Sequence, residues 1–477
     1  MISKNNLVYL FILITVKINL IKNIILPINI EPNKTFYFYT TLYYGDAKVP
    51  QAFILDTTSS IISSPCNLCT TCGYHSNEWY NITNTEKQIL SCNNNKCGEL
   101  SGNCEDNQCT YKYDYYEDAY IKGIYVNERI CFEKNAEELY NITIGCTINE
   151  TNYIIAQDSD GIMGLNNDEN SFINILYKSH IISNNLFSIF LYQNNTGYLS
   201  LGEINKQFIS TENINYVPFS IDGENYYRLQ IDSFEINGKT IDNNNNYPAI
   251  IDTTATLTSF PKDLYDSIIN EFDKKCREDL CGKLVKNRHF GVCAIFSDED
   301  EMMSKIKYWL NIKINFKEYK YDWRPCNYWV NISTEHTFRA CLGFESTTED
   351  VITLGTTFMH GYDVIFDRKN SKIGFIDVNS NLNLNLNLNL TSDVILNNNN
   401  SNNSYFDYIE ENKINKEGGS VIKSFLIFSI FIIIIIIILF VIYTSWGKDK
   451  KITKRFRRNR VIIRYKDKER KNFLGDK

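Results

Sequence analysis

One phrase occurs twice in this chain: Phe53-Ile54-Leu55-Asp56-Thr57-Thr58-Ser59-Ser60-Ile61-Ile62-Ser63-Ser64-Pro65, and again Ala249-Ile250-Ile251-Asp252-Thr253-Thr254-Ala255-Thr256-Leu257-Thr258-Ser259-Phe260-Pro261. In both copies an apolar run leads into Asp-Thr-Thr, and a proline follows the aspartate by nine positions. A repeat of this period is too long for a solenoid unit and predicts two similar lobes, each contributing one carboxylate. A pair of carboxylates brought together is a device for acid–base chemistry.

A second pair of phrases extends the duplication. Asp160-Gly161-Ile162-Met163-Gly164-Leu165 closes the first half, and Ile352-Thr353-Leu354-Gly355-Thr356-Thr357-Phe358 closes the second. Each is an apolar stretch broken by a glycine. In order, spacing and wording these segments resemble the pepsin-like aspartic proteases. Further echoes are Leu199-Ser200-Leu201-Gly202-Glu203, Val364-Ile365-Phe366-Asp367-Arg368 and Ile373-Gly374-Phe375, so the likeness covers about residues 36–378. The resemblance implies a mainly β, bilobal fold with pseudo-two-fold symmetry, with an N-terminal lobe over 36–209 and a C-terminal lobe over 210–378. It also implies that Asp56 and Asp252 form the catalytic dyad, with Thr57, Thr253 and Ser59 beside them as substrate-binding residues.

Fourteen cysteines fall between Cys66 and Cys341. Cys66, Cys69 and Cys72, with His75 close behind, have spacing that suits a metal. The further cysteines at 92, 97, 104 and 109 point instead to a disulfide-stapled insertion over 66–109, with no metal and His75 on the surface. Nine cysteines precede residue 150 and five follow. Within-lobe pairing therefore leaves a free thiol on each side; Cys146, in a strand-like run, is the candidate for a buried one. The segment Ser64-Pro65-Cys66-Asn67-Leu68-Cys69, continuing to Cys72-Gly73, is similar to the insert of plasmepsin V-type and nepenthesin-type enzymes. The stretch Tyr113-Asp114-Tyr115-Tyr116-Glu117-Asp118-Ala119 resembles the plasmepsin V-type flap. That match implies Tyr115 as the flap tyrosine and Glu117 as an acid in contact with substrate.

The chain departs from the family pattern at the glycine of Asp-Thr/Ser-Gly, where Thr58 and Thr254 stand. A β-branched residue there brings bulk beside the dyad. At the next position, where the family places a hydroxyl for the aspartate, Ser59 keeps one and Ala255 does not. Three functions are therefore weighed, the first two being an aspartic endopeptidase that needs no cofactor and a catalytically inactive relative whose cleft binds extended polypeptide. A structural surface protein is a third.

The ends of the chain address its location. Residues 1–20 read as a signal peptide, with Lys4 before the apolar Leu7–Val16. The spacer before the first strands is too short for a long propeptide. Phe425–Tyr443 is apolar throughout, includes seven consecutive isoleucines, and reads as a transmembrane helix within 421–446. A low-complexity stalk over 379–420 precedes it. Residues 447–477 carry 14 Lys/Arg against 4 Asp/Glu, a net +10, leaving −17 on the remainder of a chain whose total is −7. The basic tail is expected in the cytoplasm and the body in the lumen or outside, as in a type I protein of the secretory pathway. An acidic body argues against nucleic acid as a partner, and a cleft between two β lobes would take extended polypeptide substrates. Several Asn-x-Ser/Thr sequons, among them Asn81, Asn141 and Asn331, permit glycosylation.

Overall fold

A computed structural model describes residues 24–378 apart from 31–36, 83–87, 94, 116–117, 193–195, 206–213, 222, 242–245 and 335–336. The signal-peptide, stalk, transmembrane and tail expectations (1–20, 379–420, 421–446 and 447–477) lie outside the described residues, as does Glu117. Among the described residues no helix is long and apolar enough to cross a membrane.

The described chain is mainly β. Phe38–Tyr44 buries every second residue, Phe38, Thr40, Leu42 and Tyr44, as expected where one face of a strand meets the core. In Val49–Asp56, by contrast, the run from Gln51 to Asp56 is continuously buried, which requires cover on both faces.

The duplicated phrases become a duplicated strand pattern. In the first half Val49–Asp56 pairs in parallel with Gly161–Gly164, which pairs antiparallel with Ile62–Pro65, which pairs in parallel with Tyr140–Glu150. In the second half Tyr247–Ile251 pairs in parallel with Ile352–Leu354, that strand antiparallel with Thr258–Pro261, and that strand in parallel with Phe344–Thr347. Order and sense agree at each step. The chain leaves the first strand at the aspartate, turns through Thr-Thr, and returns on the other side of the glycine-containing strand. That passage is tight, which explains the glycines. A Cβ on Gly164 would lie 2.5 Å from the Ile61 nitrogen, and one on Gly355 would lie 2.4 Å from the Leu257 oxygen.

Six antiparallel strands join the halves in the order Asn215–Pro218, Lys372–Asp377, Tyr362–Asp367, Leu186–Leu191, Thr196–Leu201 and Ile24–Ile30. Across this platform Phe187 stacks on Phe366 with ring centroids 4.4 Å apart. Ile24–Ile30 lies upstream of the expected lobe boundary at residue 36. Its alternating Ile24, Leu26 and Ile28 are buried, so this stretch is a strand of the body and not spacer.

The cysteines form six disulfides among the described residues: Cys66–Cys146, Cys69–Cys72, Cys92–Cys104, Cys97–Cys109, Cys276–Cys281 and Cys293–Cys341. Such density marks an oxidising compartment. The sulfurs of Cys66, Cys69 and Cys72 are all consumed. The free thiols are Cys131, which is buried, and Cys326, which is exposed, one on each side as the odd counts required. Cys146 is not free, contrary to expectation. Its strand lies parallel to Ile62–Pro65 with Ser64 opposite Cys146, which brings Cys66, two residues beyond Ser64, within bonding reach.

His75 also departs from expectation. Its side chain is buried, with Nε2 3.0 Å from Glu150 Oε2 and Nδ1 3.0 Å from the Gln157 carbonyl oxygen. A carbonyl only accepts, so Nδ1 donates to Gln157, and in its charged form the ring donates from Nε2 to Glu150 as well. Burial works against that charge, but the Glu150 bond and charge outweigh it and raise the His75 pKa. The pair fastens the cysteine-rich segment to the strand Tyr140–Glu150.

Candidate active site

Asp56 and Asp252 stand at equivalent strand ends, and the residue after each holds the two loops together. The Thr57 amide donates to Thr253 Oγ1 at 3.1 Å, and the Thr253 amide donates to Thr57 Oγ1 at 3.1 Å. Each hydroxyl then donates into the opposite strand, Thr57 to the Ile251 carbonyl at 2.8 Å and Thr253 to the Leu55 carbonyl at 2.6 Å. Both threonines are buried, and neither lines the cavity above. Their hydroxyls are used in joining the halves.

Above this junction lies a cavity of about 530 Å³, lined from both halves by Asp56, Thr58 and Ser59 and by Asp252 and Thr254. Three more carboxylates, Asp114, Asp168 and Glu224, face it. Asp252 is pushed up to about 6 by burial and by the charge of nearby Asp56, against the opposing bonds from Thr254 and Ala255.

Thr58 and Thr254 turn their hydroxyls toward the dyad. The Thr58 hydroxyl donates to Asp56 Oδ1 at 2.6 Å and its amide to the same oxygen at 2.8 Å. Thr254 treats Asp252 Oδ1 identically, at 2.6 and 2.8 Å. Neither residue has a positive φ, so the loops do not demand the glycine that the family pattern supplies. Ser59 reaches Asp56 Oδ1 through its amide, at 3.2 Å, while its hydroxyl is buried and unpartnered. The expected hydroxyl bond therefore exists, but from the residue before.

Over the cavity, Gln108–Asp114 and Tyr120–Cys131 form an antiparallel hairpin, continued by the Tyr115 amide donating to the Ala119 carbonyl at 2.7 Å. Tyr115 lines the cavity, and the charge of Asp56, after burial, adds to the rise in its pKa. Tyr113 lines it too, its hydroxyl 3.0 Å from Ser60 Oγ. Sequence reasoning missed Tyr113 and Ser60. The period of two along the strand puts Tyr113 on the face of Tyr115, and that signal could have found it.

The far wall comes from loops without a motif. Arg368 donates to Asn167 Oδ1 at 3.1 Å and to the Asp168 carbonyl at 2.7 Å, and Asn225 Nδ2 donates to Asp168 Oδ2 at 2.9 Å. The Asn225 bond ties the Asn166–Asp168 edge of the first half to Glu224–Tyr226 of the second, and Arg368 braces the same edge.

Two carboxylates on matched strand–loop–strand units, locked at their bases and open to one cavity, are the arrangement of an aspartic protease. A family model for eukaryotic aspartyl protease matches residues 37–378. The chain belongs to the eukaryotic aspartyl protease family.

Within this family it is similar to plasmepsin V of Plasmodium falciparum, 28% identical over 150 residues, which is 30% of this chain and 25% of the relative. It is also similar to aspartic protease 5 of Toxoplasma gondii, 29% identical over 147 residues, or 27% of this chain and 15% of that one. The matched segment thus spans about a quarter or less of these relatives' lengths. The crystal structure of basic 7S globulin from soybean shares the fold, with a TM-score of 0.58 at 15% identity over 74% of this chain and 96% of that one.

Proposed function

We propose that this family member is an aspartic endopeptidase that hydrolyses peptide bonds of secretory-pathway proteins, with Asp56 and Asp252 as its dyad. The observation that carries this is the matched pair of Asp-Thr-Thr loops, bonded reciprocally at Thr57 and Thr253 and presenting both carboxylates to one cavity. The pair would hold one proton between them. One carboxylate takes a proton from a water as it attacks the peptide carbonyl, and the other gives its proton to the carbonyl oxygen. Collapse of the tetrahedral species breaks the C–N bond as the amine leaves protonated. No cofactor is called for. Tyr115 closes over the bound chain, and Glu117 is proposed to contact substrate.

The remaining segments complete the proposal: signal peptide, lobes meeting at the six-stranded platform, stalk, one membrane helix over 421–446 and a basic cytoplasmic tail. The six disulfides support a luminal or extracellular body. The alternative of an inert polypeptide-binding body rested on the bulk of Thr58 and Thr254, and their hydroxyl bonds to the aspartates favour the enzyme instead. Pepstatin-sensitive cleavage of unfolded polypeptide by the purified chain, lost in Asp56→Ala, tests the activity. Protease protection on intact microsomes tests the topology: the body should survive and the tail should be digested.

A further inference from the structure

The two aspartate loops are 196 residues apart, yet each carries the same departure from the family pattern, a threonine two positions after the aspartate, and each uses it the same way. Hydroxyl and amide of one residue converge on a single carboxylate oxygen, at 2.6 and 2.8 Å in both loops. The hydroxyl expected at the next position is absent at Ala255 and, at Ser59, buried without a partner. From this geometry we infer that Thr58 and Thr254 are positioning residues of the dyad, replacing the following hydroxyl and holding Oδ1 of each aspartate so that Oδ2 is left for the shared proton and the attacking water. The inference rests on the endopeptidase reading for its kinetic consequence, but not for its effect on the carboxylates themselves.

The physical logic is that of a charge-assisted bond. A hydroxyl donating to a carboxylate favours the ionised form and fixes the plane of the carboxyl group. A glycine would supply the amide bond alone. In this chain the threonine adds to its backbone amide a hydroxyl on a rigid, β-branched side chain whose rotamer is restricted. Besides Asp56 and Tyr115, the titratable groups on the cavity near Asp252 include Asp114, Asp168 and Glu224, none of which the variants below alter. A change in titration is therefore assigned to the dyad.

The test uses the full chain with Thr254→Val, Thr254→Ser and Thr254→Gly, and the matching changes at Thr58. Valine keeps the shape without the hydroxyl, serine keeps the hydroxyl, and glycine restores the family residue. The first readout is independent of catalysis: carbon-13 NMR of labelled aspartate follows the upper titration step of the pair. Loss of the hydroxyl in Thr254→Val should raise that step by about one pH unit, tenfold in proton affinity, and serine should return it. An unmoved step in folded Thr254→Val overturns the inference, whether or not the chain is a protease. The second readout is peptide hydrolysis. Valine and glycine should each lower kcat about tenfold with KM little changed, serine should restore most of the rate, and the basic limb of kcat/KM should shift upward in valine. Faster hydrolysis by Thr254→Gly would mean that threonine bulk limits the enzyme, and would also overturn it. A shifted titration in a chain that cleaves no peptide would leave the positioning role standing and overturn the endopeptidase reading alone.

Discussion

Thr57 and Thr253 exchange hydrogen bonds across the molecule, each amide donating to the other's hydroxyl oxygen at 3.1 Å. Neither loop is complete without the other, since each hydroxyl also satisfies a strand carbonyl in the opposite half. The relative placement of Asp56 and Asp252 is thus fixed by their immediate neighbours and not by distant packing alone.

Removing one side of this exchange should be costly. Thr253→Val leaves the Thr57 amide and the Leu55 carbonyl without their partner in a buried place. The expected loss is about 2–4 kcal/mol in denaturant unfolding. In a cycle with Thr57→Val the double variant should lose less than the sum of the singles, because both remove the same junction.

Asp252 sets a pH dependence with a definite sign. Its folded pKa of about 6, raised from an ordinary 3.8 by burial and then by Asp56, means that the native chain holds this proton where the unfolded chain has released it. Stability should therefore fall by about 3 kcal/mol as pH rises from below 3.8 to above 6 on this group's account. Asp252→Asn should flatten that slope and stabilise the fold at neutral pH. Thermal unfolding of both proteins as a function of pH provides the comparison.

The buried His75–Glu150 pair acts in a different window. The His75 pKa is raised in the folded chain, so its stabilising contribution is full below about 6.5 and is lost as pH climbs through the raised value. Protection of residues 66–80 against hydrogen exchange, corrected for intrinsic rates, should decline over that climb. His75→Ala, which leaves Glu150 buried without its partner, should cost about 3–5 kcal/mol below the raised His75 pKa and progressively less above it.

The repeat in the sequence predicted two similar halves with one aspartate each, and the family resemblance carried by its phrases implied the mainly β architecture, because these depend on local phrases with strict steric demands. What stayed hidden depends on residues far apart. His75 looks like a surface residue among polar neighbours until Glu150, 75 positions later, is folded against it. Cys146 acquires its partner only through the parallel pairing of two strands. For Thr58 and Thr254 the residue type was visible, but a threonine beside an aspartate reads as bulk until the direction of its hydroxyl is known. Gln157, Asn166 and Glu224–Tyr226 reach the cavity from loops whose spacing carries no motif.

Cysteine labelling offers a simple check on the covalent framework. In the native chain Cys326 should alkylate and Cys131 should not, and after unfolding without reductant these two alone should react. Cys66→Ala with Cys146→Ala should destabilise by about 3–5 kcal/mol, since that bridge closes an 80-residue loop.

The central claim is that Asp56 and Asp252 together activate a water against a peptide bond. The most direct measurement is the rate at which the purified chain cleaves unfolded polypeptide in the acidic range, beside Asp56→Asn and Asp252→Asn, with products identified by mass spectrometry. The account predicts internal cleavage by the unmodified chain, blocked by pepstatin and abolished by either substitution in a protein that remains folded. Undiminished cleavage by either Asn variant, or a folded and unmodified chain that cleaves nothing, would contradict it.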